Sequence, residues 1–251
     1  MQPIGLAQSF LWFGIPSIII SWFVLWWLPR LMATGLSLFM IFNLTFLAPL
    51  ALMLLAALYL YRREGNPWTW AAFSERMRLK RMNGADWLWT AGLVIGVLAI
   101  GRLTGMLLGG HEIFRFYTHP VAFTEFMAKM STMTTEWVGI PLPGNWLLFL
   151  YVTFALIAFN IFGEELWWRG IILPRQELAL GHYAWLVNGL LWAAFHAFYH
   201  STLANFLSYI PGTALLAFVC WKRKSTWPGI IAHTVQNSAI PILLFKRVAG
   251  L

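Results

Sequence analysis

The chain has 251 residues, 60% hydrophobic and only 10% charged, against about 25% charged residues in soluble domains. That balance excludes an ordinary soluble globule. Lys and Arg number 17 against 9 acidic residues, but the excess is clustered between apolar runs and the 16 Trp lie within those runs, which argues against nucleic acid as a partner.

The pattern predicts an all-α polytopic integral membrane bundle of about seven transmembrane helices, within a range of six to eight, with amphipathic interfacial helices. The first apolar run, Phe10 to Leu28, ends in Trp26-Trp27-Leu28-Pro29-Arg30, an interfacial belt followed by a stop. It lacks a basic n-region and a small-residue cleavage site, so it reads as a retained span. A second run covers about Ser37 to Tyr61 and closes on Arg62 and Arg63.

Between Asn66 and Asp86, Trp68, Trp70, Phe73, Met77 and Leu79 are interleaved with Arg76, Arg78, Lys80 and Arg81. That reads as a short amphipathic helix in the cytoplasmic headgroups. A third span runs from Trp87 to Leu108, with Arg102 snorkelling near its outer end. Gly109-Gly110-His111 then breaks the helix, and His111 and His119 fall in loops. Met127, Met130 and Met133 sit at helical spacing on a surface helix resting on the bundle.

Pro141-Leu142-Pro143-Gly144-Asn145 is a linker. It divides residues 1–144, with three spans, from 145–251, with four, inside one folded unit. A fourth span covers Trp146 to Gly163, with Pro174 ending its helix and Arg175 and Glu177 in the connection that follows. The fifth covers Ala184 to Tyr199, the sixth Leu203 to Trp221 and the seventh Trp227 to Phe245. With the basic clusters Arg62–Arg81 and Lys222–Lys224 inside, seven spans put the N-terminus in the cytoplasm and the C-terminus outside. Lys246 and Arg247 then lie on the less favoured side. The single cysteine, Cys220, excludes an intrachain disulfide, a CxxC metal knuckle and a dithiol redox site. It reads as a small buried hydrophobe.

The chemistry concentrates in the second half. Phe162-Gly163-Glu164-Glu165-Leu166-Trp167-Trp168-Arg169-Gly170 places three ionisable groups at the end of an apolar run. Charges at a helix centre cost roughly 2.5–3.5 kcal/mol on insertion scales, so such groups mark function. Glu165 and Arg169 lie four apart on one helix face and can pair. Glu164, rotated about 100° by the helical repeat, is left for other work. His196 and His200 are four apart on one predicted helix, and His233 and Asn237 on another. Polar groups in a bilayer are cheapest when they face inward together. The spacing therefore predicts a buried cluster of Glu164, His196, His233 and Asn237, supported by Glu165 and Arg169. His200, near the span end, reads as solvated or as a residue behind those that form the site, and Asn160 and Asn188 as bundle glue.

A desolvated carboxylate suits a general base, a neutral histidine can help deprotonate water, and a histidine with an amide can stabilise an oxyanion. Together these describe amide hydrolysis. The same Glu164, His196 and His233 could instead hold a divalent metal such as zinc. Three motifs carry a family resemblance: Glu164-Glu165-Leu166-Trp167-Trp168-Arg169, then Trp192-Ala193-Ala194-Phe195-His196, then His233-Thr234-Val235-Gln236-Asn237. In that order on separate spans they resemble the CPBP family of CAAX prenyl-endopeptidases, bacteriocin-processing or immunity proteins and abortive-infection proteins. The family usually has Phe where this chain has Trp192. The resemblance covers roughly Asn145 to Phe245. It implies an intramembrane endopeptidase, metal-dependent in one scheme, in which Glu164 and His196 activate water, His233 and Asn237 hold the oxyanion, and Glu165 and Arg169 support the site.

The expected partners are the bilayer, of the bacterial plasma-membrane type, and a membrane-associated peptide or protein. Two other classes stay open. One is a non-catalytic binder or immunity protein on the same scaffold. The other is an ion-coupled transporter, against which the lack of a broken-helix repeat argues.

Overall fold

A computed structural model describes residues 1–108 and 114–251. Helices α1 (Leu6–Met32), α2 (Leu38–Arg63), α3 (Trp70–Arg76), α4 (Gly84–Leu108) and α5 (Val121–Ser131) precede a two-stranded antiparallel ribbon, β1 (Glu136–Trp137) with β2 (Ile140–Pro141). After it come α6 (146–180), α7 (Ala184–Phe195, prolonged by a 3-10 turn at His196–Phe198), α8 (Leu203–Arg223), α9 (Trp227–Gln236) and α10 (Ala239–Ala249). Among the described residues, side-chain caps open five helices: Ser37, Thr69, Asn83, Asn145 and Thr202 each accept a backbone N–H three residues on, which satisfies one of the orphan donors of a first turn.

Five helical segments are long and apolar enough to cross a membrane: Leu6–Met32, Leu38–Arg63, Gly84–Leu108, Trp146–Phe198 and Leu203–Arg223. The chain is an integral membrane protein. Seven separate spans are not what these segments give. The segment Trp146–Phe198, 53 residues long, takes in both the expected fourth and fifth spans. The expected seventh is divided at Asn237–Ser238 into helices of 10 and 11 residues. At about 1.5 Å per residue, neither piece reaches across a hydrocarbon core of about 30 Å. The outward faces of α1, α4 and α6 present exposed Ile18, Leu88, Ile95 and Leu147, side chains suited to lipid.

Prolines do not end helices here. Pro29 and Pro174 both lie inside continuing helix, contrary to the stops expected at each. Pro29, Pro49 and Pro174 each follow a wide π-type turn, at Trp22–Trp27, Asn43–Leu47 and Leu166–Ile172 respectively. A proline lacks the N–H for the carbonyl four residues back and its ring crowds that carbonyl. Widening the preceding turn makes room and keeps the helix running. In α6 the carbonyl that Pro174 cannot serve, that of Gly170, accepts Arg76 Nη1 at 2.7 Å. Arg175 and Glu177 therefore sit in the helix rather than in a connection. α6 ends at Gly181, where φ is +55°.

The polar segment after α2 is more firmly held than a helix resting in headgroups. Only Trp70–Arg76 is helical. Trp68 and Trp70 remain exposed, whereas Met77 and Leu79 are buried, and their carbonyls accept Thr226 Oγ1 at 2.7 Å and Trp227 Nε1 at 3.0 Å. Ion pairs staple the segment to α6. Glu64 meets Arg76 and Arg175, each at 2.5 Å, and Glu177 meets Arg78 at 2.7 Å and Lys224 at 2.6 Å.

Helix α7 packs on α8 and α1, α8 on α4, and α2 along residues 163–172 of α6. A Cβ on Gly163 would lie 2.9 Å from the Leu50 carbonyl oxygen, so a bare backbone is required for α2 to lie against α6 there. Phe126 and Met130 of α5 are buried and Met127 packs against the core, whereas Met133, expected on the same helix, is buried beyond the end of α5 at Ser131. His119 lies outside the helices and bonds Tyr117. His111 and the expected break at Gly109–Gly110 lie outside the described residues.

Burial raises the Glu64 carboxyl, but the Arg76 and Arg175 guanidiniums more than offset it and hold it at about 2, below its ordinary 4.5. A depressed carboxylate contributes stability that is fully present above its unfolded value and is lost as pH falls through its folded one. Thermal unfolding in nanodiscs should therefore show Glu64→Gln less stable than the parent at neutral pH. The gap should close as the pH is lowered from 4.5 towards 2. A pH-independent gap would show that the pairs carry no such stability.

Candidate active site

The three motifs, far apart in the sequence, come together at a single place in space. Glu164, His196, His233 and Asn237 all line one cavity of about 260 Å³, together with Asn160, His200 and Tyr209. These residues come from α6, the 3-10 turn after α7, the start of α8's approach, α8 itself, and the α9 terminus.

Glu164 is buried and its carboxylate is held by donors of one chemical kind. Trp192 Nε1 donates to Oε2 at 2.8 Å and Trp168 Nε1 to the same oxygen at 3.4 Å. Asn160 Nδ2 faces Oε1 at 3.4 Å. Asn160, Glu164 and Trp168 recur every four residues on α6, so one helix face supplies the carboxylate and two of its donors. The Asn160 Oδ1 atom is buried without a partner.

Glu165 turns away, as the helical repeat predicts, and is wholly buried. Its Oε1 accepts Arg169 Nη1 and His233 Nδ1, each at 3.1 Å. One carboxylate thus ties a cation on its own helix to an imidazole on α9. Arg169 Nε and Nη2 have no hydrogen-bond partner; instead its Cζ lies 3.8 Å from the Trp192 ring centroid. A guanidinium over an indole face is an attractive, desolvated cation–π contact.

The tautomers follow from the partners. His196 Nδ1 lies 2.9 Å from the Trp192 carbonyl oxygen. A carbonyl only accepts, so Nδ1 carries the hydrogen and the neutral ring keeps a lone pair on Nε2. His233 Nδ1 faces a carboxylate and donates likewise, which leaves its Nε2 as the second polar atom. Asn237 Nδ2 donates one of its two hydrogens to the His233 carbonyl at 3.1 Å, closing the end of α9. Among the described residues no hydrogen bond joins Glu164 to either histidine; they share the cavity.

Three residues missed or misjudged from sequence complete the lining. Asn160 is not bundle glue, since its amide faces Glu164. His200 is half-buried and lines the cavity, its ring 4.8 Å from that of Tyr209. Tyr209 also lies 4.8 Å from the His196 ring and carried no sequence signal beyond being an aromatic in a span. Asn188, by contrast, is bundle glue as expected, donating to the Trp168 carbonyl and Gln176. Cys220 is buried, as its reading as a small hydrophobe requires. As for a metal, among the described residues no three His, Cys, Asp or Glu side chains are grouped as a metal ion would need, and Glu164 Oε2 already receives two indole N–H groups. The expected Glu164, His196 and His233 ligand set therefore does not fit a metal in this arrangement.

The helical membrane fold and its carboxylate–imidazole cavity define an integral membrane protein with a polar centre. Residues 145–239 match the Rce1-like family model, described as type II CAAX prenyl endopeptidase Rce1-like. This agrees with the CPBP resemblance read from the three motifs. No curated protein and no solved structure matches the chain.

A Cβ on Gly229 would run into Glu165 Oε2 and lie 2.9 Å from Cys220 Sγ, whereas one on Gly14 meets nothing within 4 Å. Gly229→Ala should cost about 1–3 kcal/mol, as overpacking does, and Gly14→Ala should cost nothing. Melting temperatures of the two variants in the same detergent check the contrast.

Proposed function

We propose that the protein is an intramembrane endopeptidase that hydrolyses a peptide bond in a membrane-associated peptide or protein. The observation that carries the reading is the convergence of Glu164, His196, His233 and Asn237 on one cavity of about 260 Å³. The Rce1-like match over the residues that supply all four supports it. Glu164, with His196 Nε2 beside it, takes a proton from water as the oxygen attacks the scissile carbonyl carbon. The C–O bond forms and the carbonyl oxygen becomes an oxyanion. Asn237 offers its remaining amide hydrogen, and His233, when protonated against Glu165, offers Nε2–H. Preorganised donors of this kind are worth about 2.7–4 kcal/mol each. Collapse breaks the C–N bond, and the leaving amine receives the proton held by Glu164. Glu165 and Arg169 act behind His233 by fixing its ring. No step is routed through a metal. The bilayer of residence is of the bacterial plasma-membrane type, with Arg62, Arg63 and Lys222–Lys224 on its cytoplasmic side.

The binder or immunity reading uses the same scaffold without turnover, and a transporter would use Glu164 and the histidines as a relay. Glu164→Gln and His196→Ala are predicted to insert and melt like the parent while losing at least about 10²-fold in cleavage of a fluorogenic peptide library in nanodiscs, farnesylated Cys-a-a-X peptides and their unprenylated counterparts included. His233→Ala should lose about 10²–10³-fold. Cleavage undiminished in the Glu164 and His196 variants would end the peptidase reading. A parent that cleaves nothing but drives pH-gradient uptake in liposomes would favour transport.

A further inference from the structure

We infer that Trp192 is the positioning residue of this site, its indole N–H holding the Glu164 carboxylate while its backbone carbonyl sets the His196 ring. Three contacts carry the inference. The Nε1–H donates to Glu164 Oε2 at 2.8 Å, the shortest of the three contacts to that carboxylate. The carbonyl oxygen of the same residue lies 2.9 Å from His196 Nδ1. The Arg169 guanidinium lies 3.8 Å over its ring. A cation on the indole face draws electron density from the ring and strengthens its N–H as a donor. Arg169 thereby acts on both glutamates, on Glu165 directly and on Glu164 through the indole. His233 meets the same ring edge-on, with centroids 5.4 Å apart.

The consequence is which oxygen works. Oε2 is occupied by Trp192 and Trp168, so Oε1, with only the 3.4 Å contact to Asn160, is the oxygen free for water. Phenylalanine, usual at this place in the family resembled, has no N–H and cannot divide the two oxygens in this way. Trp192 is therefore more than a bulkier aromatic.

The catalytic consequence rests on the peptidase reading; the hydrogen bond does not. Two variants separate the N–H from ring volume: Trp192→Phe, and replacement of Trp192 by benzothienylalanine, which keeps the bicyclic shape with sulfur in place of N–H. The first readout is dicyclohexylcarbodiimide labelling of Glu164, located by mass spectrometry. An oxygen released from its donor is open to the reagent, so both variants should label several-fold faster than the parent. Equal labelling in all three proteins, including none in any, overturns the assignment. The second readout is cleavage of the best library peptide. Loss of a hydrogen bond to a charged group should lower kcat about ten- to hundredfold with KM unchanged, in both variants alike. A loss in Trp192→Phe that the benzothienyl variant restores would show that volume, not the N–H, matters, and would overturn the inference. A parent that cleaves no peptide would count against the peptidase reading alone, and the labelling would still decide the role of Trp192.

Discussion

The buried Glu165 carboxylate is the constraint around which the second half of the chain is arranged. A charge taken out of water is tolerated only if it is paired and hydrogen-bonded. Glu165 meets that demand with Arg169 from its own helix and His233 from α9, both on one oxygen. The remaining oxygen lies against Gly229, where a side chain would collide with it. Because the anchor joins two helices, it fixes the register of α9 against α6. That register delivers His233 and Asn237 to the cavity that Glu164 also lines.

Arg169 extends the same logic to a third element. Its guanidinium covers Trp192 of α7, and that residue in turn reaches both Glu164 and His196. The polar groups are thus not a set of independent interhelical bonds. They form a chain from Glu165 through Arg169 and Trp192 to Glu164, in which each link is buried. In a low-dielectric interior such links stiffen one another, which suits a site whose geometry has to be ready before a substrate arrives.

The basic segment between α2 and α4 belongs to this arrangement rather than to a membrane surface alone. Pro174 removes a donor from α6, and Arg76 supplies one to the Gly170 carbonyl, a single residue beyond Arg169. Arg76 is itself held by Glu64, which also binds Arg175. Residues far apart in sequence therefore serve a carbonyl that the helix itself leaves free. A wide turn at a functional position is a recurrent use of π-type geometry.

How much was legible follows from the range of each interaction. Apolar run lengths, basic clusters, and the four-residue spacings Glu165–Arg169 and His233–Asn237 are local, and the chain order alone determined the helical membrane class and the residues that would have to face inward. The turn at Asn237 and the passage of helix through Pro29 and Pro174 were hidden, because whether a proline stops or merely widens a helix depends on what else can serve the freed carbonyl. The Asn160–Glu164–Trp168 spacing lies within α6 and is local too, whereas tertiary structure alone decided that Trp192 holds Glu164 and that Tyr209 and His200 complete the wall. Those contacts join α6 to α7 and α8, and no periodicity within one helix records which face of another it will meet.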